Sequence, residues 1–281
     1  MPNGYHAAMV ATGAVMLVAA LAAGWWVRLR PSNERDWRRD VAHLATAQVR
    51  GDHVTVRNVR NFRYRSVDDF DERWEERSYD LSLLEGLDIF FIAWGPKLYN
   101  HTILSWSFAD GQRLAISVEV RKRRDQGYSA WKAFFRQYEL VYVAADERDV
   151  IKLRTNYRRE QVYLYRVITS RSAARSLLLA YLEAMNEIAV RPLWYNALTA
   201  NCTTVIRQRV IHAGGRLPFS WRYFANAYLP PLLYRRGLLD RGRPLEELKA
   251  MSHINERAQR TAETDDFSKR IREGLPMPPL A

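Results

Sequence analysis

The sequence predicts an α+β domain, with a small antiparallel sheet packed against helices, carried on one N-terminal transmembrane helix. Three observations lead to this prediction. Residues 7–27 form an uncharged apolar run, two alternating runs flank the turn-forming pair Asp110-Gly111, and an apolar helical pattern begins at Cys202. A chain of 281 residues with 48% hydrophobic content is also long enough to bury a sizeable core.

The run at 7–27 predicts an uncleaved membrane anchor. It is long enough to cross a bilayer, and Trp25 and Trp26 near its end are typical interface residues. A signal peptide has a shorter apolar region behind a basic start, whereas residues 1–6 contain no Lys or Arg. Cleavage after Ala22 is therefore the weaker alternative.

The arginines after this run bear on membrane orientation. They are Arg28, Arg30, Arg35, Arg38 and Arg39, and no basic residue precedes the run. The positive-inside rule would keep the main domain in the cytoplasm, but large domains are translocated largely regardless of such counts. The residues alone leave the orientation open.

Composition indicates the kind of partner. The net charge of +12 comes from 43 Lys and Arg against 31 Asp and Glu, and it suits an anionic lipid surface. Nucleic acid is not expected, since the arginines are spread along the chain without a basic tail. A single cysteine excludes an intramolecular disulfide and four-cysteine zinc sites. The histidines show no metal-binding spacing, so neither a metal nor another cofactor is expected.

Periodicity and composition divide the chain into four parts. We expect an anchor at 1–30, a basic amphipathic juxtamembrane linker at 31–50, a catalytic domain at 51–240 and a polar, loosely ordered tail at 241–281. Strands are predicted at 53–64, 87–92, 101–108, 113–120, 140–144 and 162–167, and helices at 129–138, 146–151, 170–190 and from 202 onward.

Cys202 is the candidate nucleophile. Asn201 before it is a good helix N-cap, and Thr203 and Thr204 can satisfy other free donors of the first turn. The positive end of the helix dipole favours the thiolate, which is the nucleophilic form. A buried structural cysteine is the alternative, although the flanking Asn, Thr and Thr argue against a core position.

His101 is the candidate base, and the register of its hairpin decides which residue lies across from it. His101, Ile103 and Ser105 share one face of their strand. A two-residue turn would pair His101 with Val120. An odd loop, such as a three-residue turn with a glycine bulge, would place Glu119 opposite His101. Both registers fit the residues, so Glu119 is a candidate to orient the ring.

Several segments resemble the Lnb N-terminal periplasmic domain family. They are WEERSYDL at 74–81, HTILSWSF at 101–108, FFRQYELVYVAADERDVIKLRTNYR at 134–158, VYLYR at 162–166 and WYNALTANCTT at 194–204. The family name comes from a lipoprotein intramolecular transacylase. The resemblance implies a circularly permuted papain-like (NlpC-like) fold, in which a strand His precedes the helix Cys. It further implies that His101 is the base, that Cys202 is the nucleophile, and that the domain faces the periplasm from the bacterial inner membrane.

These observations predict a thiol hydrolase or acyltransferase acting on a lipid-linked or cell-envelope acyl group, such as that of a lipoprotein. The backbone N–H groups of Cys202 and Thr203 are expected to form the oxyanion hole, with Asn201 and Ser105 supporting the site. Two alternatives stay open. One is a cell-wall peptide hydrolase that uses the same dyad on peptidoglycan, for which we expect a polar cleft rather than an apolar groove. The other is a non-catalytic envelope-binding or scaffold protein.

Overall fold

One eight-stranded sheet organises the part of the chain that the computed structural model describes, which is residues 3–93, 100–129, 131–261 and 266–276. The strands are β1 Thr46–Arg50, β2 His53–Arg60, β3 Arg63–Tyr64, β4 Phe70–Asp71, β5 Trp74–Asp80, β6 Leu84–Ala93, β7 Asn100–Phe108, β8 Arg113–Arg121, β9 Glu139–Ala145 and β10 Gln161–Val167. The helices are α1 Asn3–Arg28, α2 Glu147–Lys152, α3 Arg171–Val190, α4 Cys202–His212, α5 Leu229–Arg235, α6 Leu245–Ser252, α7 Asn255–Arg260 and α8 Phe267–Arg270. The mixed α and β composition confirms the predicted class.

The sheet is larger than the small one predicted from the sequence. Its order is β1-β2-β9-β8-β7-β6-β10, with β5 also paired to β2, while β3 and β4 form a separate two-stranded sheet. Neighbours are antiparallel except for one parallel bridge between β2 and β9. The strands β1 and β5 were not predicted, because their segments TAQVR and WEERSYD are polar and carry little apolar alternation.

Helices cover both faces of the sheet. One face packs against α3 and α4, and the other packs against α2, α7 and α8. Strands buried on both sides need no polar alternation, which explains the continuous apolar run in β6. The long helix α3 begins at the N-cap Ser170, whose hydroxyl accepts from the N–H of Ala173 at 3.2 Å. The predicted helix at 170–190 is confirmed.

The segment expected as a linker packs against the domain. Trp37 is buried and bridges to Arg123, a single 3₁₀ turn covers Arg39–Val41, and β1 is a strand of the main sheet.

The expectation of a loosely ordered tail is also corrected, for the tail residues that the structure describes. Ile254, Ala258 and Phe267 are buried against the second face of the sheet. The few apolar residues of the tail lie on the inward sides of short helices. The average composition of the tail is polar and therefore does not reveal them.

The prediction of a helix at 129–138 is wrong. Among residues 129 and 131–138, the structure has only a 3₁₀ turn, Lys132–Phe134. The aromatic spacing predicts a core-facing stripe, but the side chains of Trp131 and Phe135 are 75% and 48% exposed. An exposed aromatic stripe gains no burial that would stabilise a regular helix.

One helix among the described residues, α1, is long and apolar enough to cross a membrane. Its span Ala11–Arg28 has a mean hydropathy of 1.4, and none of its described residues falls in the buried class. Its 26 residues correspond to roughly 39 Å of helix. The predicted N-terminal apolar helix is therefore present.

Candidate active site

The thiol of Cys202 lies at the first position of α4, at the positive end of the helix dipole. Asn201 is the N-cap, as predicted: its side-chain oxygen accepts from the N–H groups of Thr203 at 2.9 Å and Thr204 at 2.8 Å. The Thr204 hydroxyl in turn accepts from the N–H of Asn201 at 2.9 Å, which completes a capping box. The sulfur is thus fixed at the helix start, and Cys202 is only 7% exposed.

The register of the β7–β8 hairpin follows the odd-loop alternative. Ser107 pairs with Arg113, and Ile103 pairs with Ser117, so residues 109–111 form a three-residue connection. Gly111 has a φ of 86°, which glycine adopts without strain. Carried two residues further, this register places Glu119 opposite His101 on the same face of the sheet.

The Nε2 atom of the His101 ring faces two oxygen acceptors. Its Nε2 lies 2.7 Å from the Ser117 hydroxyl and 3.6 Å from Glu119 Oε1. The Ser117 hydroxyl donates to the same Glu119 oxygen at 2.8 Å, so Nε2–H is the donor to Ser117. The ring also interacts with the Cys202 thiol, because each group shifts the pKa of the other. Since Nε2 is engaged, Nδ1 is the nitrogen available to the sulfur.

The charges of His101, Glu119 and Arg154 favour a Cys202 thiolate paired with a His101 imidazolium. Burial alone would raise the pKa of Cys202, but the hydrogen bond and charge of His101, with the N–H of Thr102, lower it below its usual value. Burial alone would lower the pKa of His101, but its hydrogen bonds with Cys202 and Glu119 raise that pKa to about 9. Burial opposes ionisation of Glu119 as well. The His101 hydrogen bond and the Arg154 charge nevertheless hold its pKa well below the usual range.

Ser117 and Arg154 are site residues that sequence reasoning missed. Arg154 Nη2 lies 3.2 Å from Glu119 Oε1, and Nη1 lies 3.1 Å from Glu160 Oε2. Arg154 lies in the π-helical turn Leu153–Tyr157 after α2, and no local pattern connects that turn with the hairpin. Ser117 could have been found, because it is two residues from Glu119 and therefore shares its face of β8.

Asn226 is the third missed residue, and it joins the two segments that carry the dyad. Its side-chain oxygen accepts from the N–H of Asn100 at 2.5 Å, and its Nδ2 donates to the Asn100 carbonyl. Nδ2 also donates to the Thr203 hydroxyl at 2.9 Å and lies 3.9 Å from the Cys202 sulfur. The Asn226 amide thus connects the start of β7 with the start of α4.

An apolar pocket of about 430 Å³ lies beside the loop that leads to Cys202. It is lined by Trp131, Phe134, Phe135, Asn196 and Leu198. The N–H of Ala197 donates to the Ala133 carbonyl at 3.0 Å, and Asn196 Nδ2 donates to the Phe134 carbonyl at 3.2 Å. The pocket is therefore built from two loops that are hydrogen-bonded to each other, and one of them ends at the thiol.

Comparison with protein families decides the relationship. The sequence profile of the Lnb N-terminal periplasmic domain matches residues 70–227, which is more than half of the chain. The chain belongs to this family. The matched range contains all the residues of the site, from His101 to Asn226, whereas α1 precedes it. A periplasmic domain family and one candidate N-terminal membrane helix fit a membrane-anchored periplasmic protein. Comparisons with curated proteins and with solved structures give no match.

Ser105 and Thr203 do not take the positions in the site that the sequence predicts. The Ser105 hydroxyl donates to Glu147 Oε1 at 2.6 Å, inside a buried ion cluster. It lies four strand residues from His101, about 13 Å along β7, so it does not reach the thiol. The N–H of Thr203 already donates to the Asn201 side chain. The Thr203 N–H is therefore used for helix capping and not for binding an oxyanion. The reason is that the N-cap oxygen of Asn201 lies close to the N–H groups of the first turn.

Proposed function

We propose that the domain is an envelope thiol enzyme that transfers or hydrolyses an acyl group, with Cys202 as nucleophile and His101 as base. The observation that carries this proposal is that the His101 ring, bonded to Ser117 and through it to Glu119 and Arg154, lowers the pKa of the Cys202 thiol. The chain order, a histidine on a strand followed by a cysteine at a helix start, is that of a permuted papain-type fold. The family relationship supports an envelope role.

In the first half of the reaction, the Cys202 thiolate attacks the carbonyl carbon of an ester or amide and forms a C–S bond. The tetrahedral oxyanion collapses and breaks the bond to the leaving group, which takes its proton from the His101 imidazolium. The Cys202 N–H at the helix start is the candidate oxyanion donor, given that the Thr203 N–H is engaged in the cap.

In the second half, water or an acceptor amine or hydroxyl attacks the thioester. Neutral His101 removes its proton, the C–S bond breaks, and the thiolate–imidazolium pair is restored. Glu119 holds the ring through Ser117 and stabilises its positive charge, while Arg154 keeps Glu119 ionised. Glu119 and Arg154 are thus positioning residues in this mechanism.

The lining of the apolar pocket, beside the loop that leads to Cys202, supports an acyl chain over a peptide as the group bound there. Four of its five lining residues are aromatic or aliphatic. An apolar groove binds hydrocarbon through the hydrophobic effect, whereas a peptidoglycan peptide would require several convergent polar groups. A lipid-linked acyl group, as in a lipoprotein, is therefore the substrate class we propose.

Alkylation of the full chain with iodoacetamide across a pH series tests the dyad. We expect the lone thiol to react at neutral pH, because its pKa is lowered by His101. His101→Ala should move the midpoint of the rate profile upward by about 1–3 pH units, the size expected for loss of a neighbouring opposite charge. Incubation with vesicles containing an alkyne-tagged phospholipid should leave a hydroxylamine-sensitive label that Cys202→Ser abolishes.

His212→Ala provides the matched control for this experiment. His212 also has a carboxylate partner, with Nε2 2.8 Å from Glu183 Oε2, but it lies at the opposite end of α4. Its removal should leave the alkylation profile unchanged. A thiol that stays unreactive at neutral pH, or a profile that His101→Ala does not move, would overturn the thiol-enzyme proposal and favour a binding or scaffold role.

A further inference from the structure

A short aromatic loop forms one wall of the apolar pocket described above. We define the aromatic loop as residues 131–136, WKAFFR. Trp131 is 75% exposed and Phe135 48% exposed, and their rings stack with centroids 6.4 Å apart. An isolated exposed apolar residue needs no explanation, but two large stacked rings in water at one site indicate a contact surface.

The aromatic loop is fixed on the domain. Its Ala133 and Phe134 carbonyls accept from Ala197 and Asn196, in the loop that leads to Cys202. Ahead of it, the N–H of Ser129 donates to the Tyr138 hydroxyl at 2.9 Å, and that hydroxyl donates to the Gly127 carbonyl at 2.7 Å. Hydrogen bonds therefore fix the turn that carries the two rings. They also join this turn to the loop that leads to Cys202.

The aromatic loop is continuous with the end of the candidate membrane span. The Phe135 ring lies 6.2 Å from the ring of Trp26, in an edge-to-face arrangement. The Arg136 guanidinium lies 5.0 Å from the same Trp26 ring and donates to the Trp26 carbonyl at 3.4 Å. Trp26 is two residues from the end of the span Ala11–Arg28. If α1 crosses a bilayer, the aromatic loop lies at the level where the span leaves it.

The charges around the aromatic loop complement lipid headgroups. Lys132 and Arg136 flank its rings, and the chain has no acidic residue between Asp125 and Glu139. Tryptophan with basic neighbours is the combination found at membrane interfaces, where the ring lies among headgroups and the cation meets phosphate. The occupant indicated by these contacts is a phospholipid bilayer.

We propose that the aromatic loop inserts into the interfacial region of the bilayer that α1 crosses, and so holds the apolar pocket that it lines at headgroup depth. The anchor and the aromatic loop then form two points of contact, which restrict how the domain can tilt. This inference concerns position in the membrane and does not depend on the proposed thiol chemistry.

Depth-dependent quenching tests the proposal on the full chain. In a Cys202→Ser background, Trp131→Cys and Phe135→Cys each carry a nitrobenzoxadiazole probe, in vesicles of phosphatidylcholine and phosphatidylglycerol. The emission of both probes should shift to the blue, and most of it should be lost to lipids with a nitroxide near the top of the acyl chain. Because Cys202 is absent, a failed thiol mechanism would leave this measurement unaffected.

Asp110→Cys in the same background is the control, since it lies at the opposite end of β7 from His101. Its probe should keep its aqueous emission and be quenched much less. If Trp131→Cys does not fold, Lys132→Cys replaces it, because Lys132 is exposed in the same turn. Probes in the aromatic loop that are quenched no more than the Asp110 probe would overturn the proposal.

Discussion

The amide of Asn226 shows how one residue sets the geometry of the site. It pairs with both backbone polar groups of Asn100, the residue before His101, and donates to Thr203, the residue after Cys202. Because it is 6% exposed, water cannot replace these hydrogen bonds readily. Asn226 therefore connects the residue before the base with the residue after the nucleophile.

Replacing Asn226 should change both stability and the thiol pKa. Asn226→Ala leaves backbone groups of β7 unpaired, so we expect a loss of about 1–3 kcal/mol in the free energy of unfolding. The midpoint of the alkylation rate profile should also rise, because the His101 ring is less firmly held against the sulfur. Urea unfolding in detergent and the iodoacetamide profile measure the two effects.

Asn255 offers a matched control. It is 7% exposed and pairs in a similar way, accepting from the N–H of Val162 at 2.8 Å and donating to the Glu160 carbonyl at 2.7 Å. Asn255→Ala should cost a similar stability without moving the thiol profile. Equal profiles for the two variants would show that Asn226 acts only on stability.

At the scale of elements, a buried ion cluster attaches α8 to the sheet. Arg272 follows α8 and pairs with Asp88 of β6 at 2.7 Å and with Glu147 of α2 at 2.6 Å. Arg166 of β10 also reaches Asp88, at 3.2 Å. Breaking a buried pair leaves an uncompensated charge, which typically costs about 3–5 kcal/mol. This cluster explains why the polar C-terminal segment is held against the second face.

Glu147 makes the stability of this cluster sensitive to acid. Burial alone would raise its pKa, but Arg272 outweighs burial and lowers it to about 2. Because the folded-state pKa lies below the unfolded one, the contribution is complete above pH about 4.5 and is lost as the pH falls toward 2. It amounts to roughly 3 kcal/mol at most.

Unfolding of the full chain at a series of pH values checks this expectation. Glu147→Gln should flatten the decline in stability between pH about 4.5 and 2, because the glutamine does not titrate. Glu76→Gln is the control, since Glu76 pairs with Arg57 at 2.8 Å on the exposed surface and should change the decline little. An undiminished acid decline in Glu147→Gln would contradict the prediction.

At the scale of the whole molecule, the orientation of α1 decides where the site works. Of the five arginines that follow the apolar run 7–27, three pair with carboxylates: Arg35 with Glu139 at 2.8 Å, Arg38 with Asp40 at 3.3 Å, and Arg39 with Glu72. Their charge is partly neutralised within the folded domain. The positive-inside rule counts Lys and Arg and not net charge, so these pairs do not remove the arginine signal, and it is the family relationship that favours a domain outside the cytoplasm.

We predict that the domain lies outside the cytoplasm, and reporters fused after Ala281 test this. Alkaline phosphatase, which folds actively only outside the cytoplasm, should be active, and green fluorescent protein at the same position should be dark. The same reporters fused after Arg30 show what α1 directs by itself. A fluorescent, phosphatase-inactive pair of full-length fusions would place the site in the cytoplasm.

Local features of the site could be predicted from the residues alone. The helix that starts at Cys202, its Asn201 cap, the hairpin around Gly111 and the long helix after Ser170 all follow from capping preferences and periodicity. These signals act over a few residues, so neighbouring positions in the sequence are sufficient to reveal them. The resemblance to the family also depended on short contiguous motifs.

Pairings between distant segments were decided only by the tertiary structure. The hairpin residues allowed two registers, and the three-residue turn selects the one that places Glu119 beside His101. Asn226 is 126 positions from Asn100, and Arg272 is 125 from Glu147. Each of these polar side chains is stabilised by a partner that its own neighbourhood does not specify. Their roles follow from how the chain packs, because a buried polar group must find a partner wherever the fold brings one.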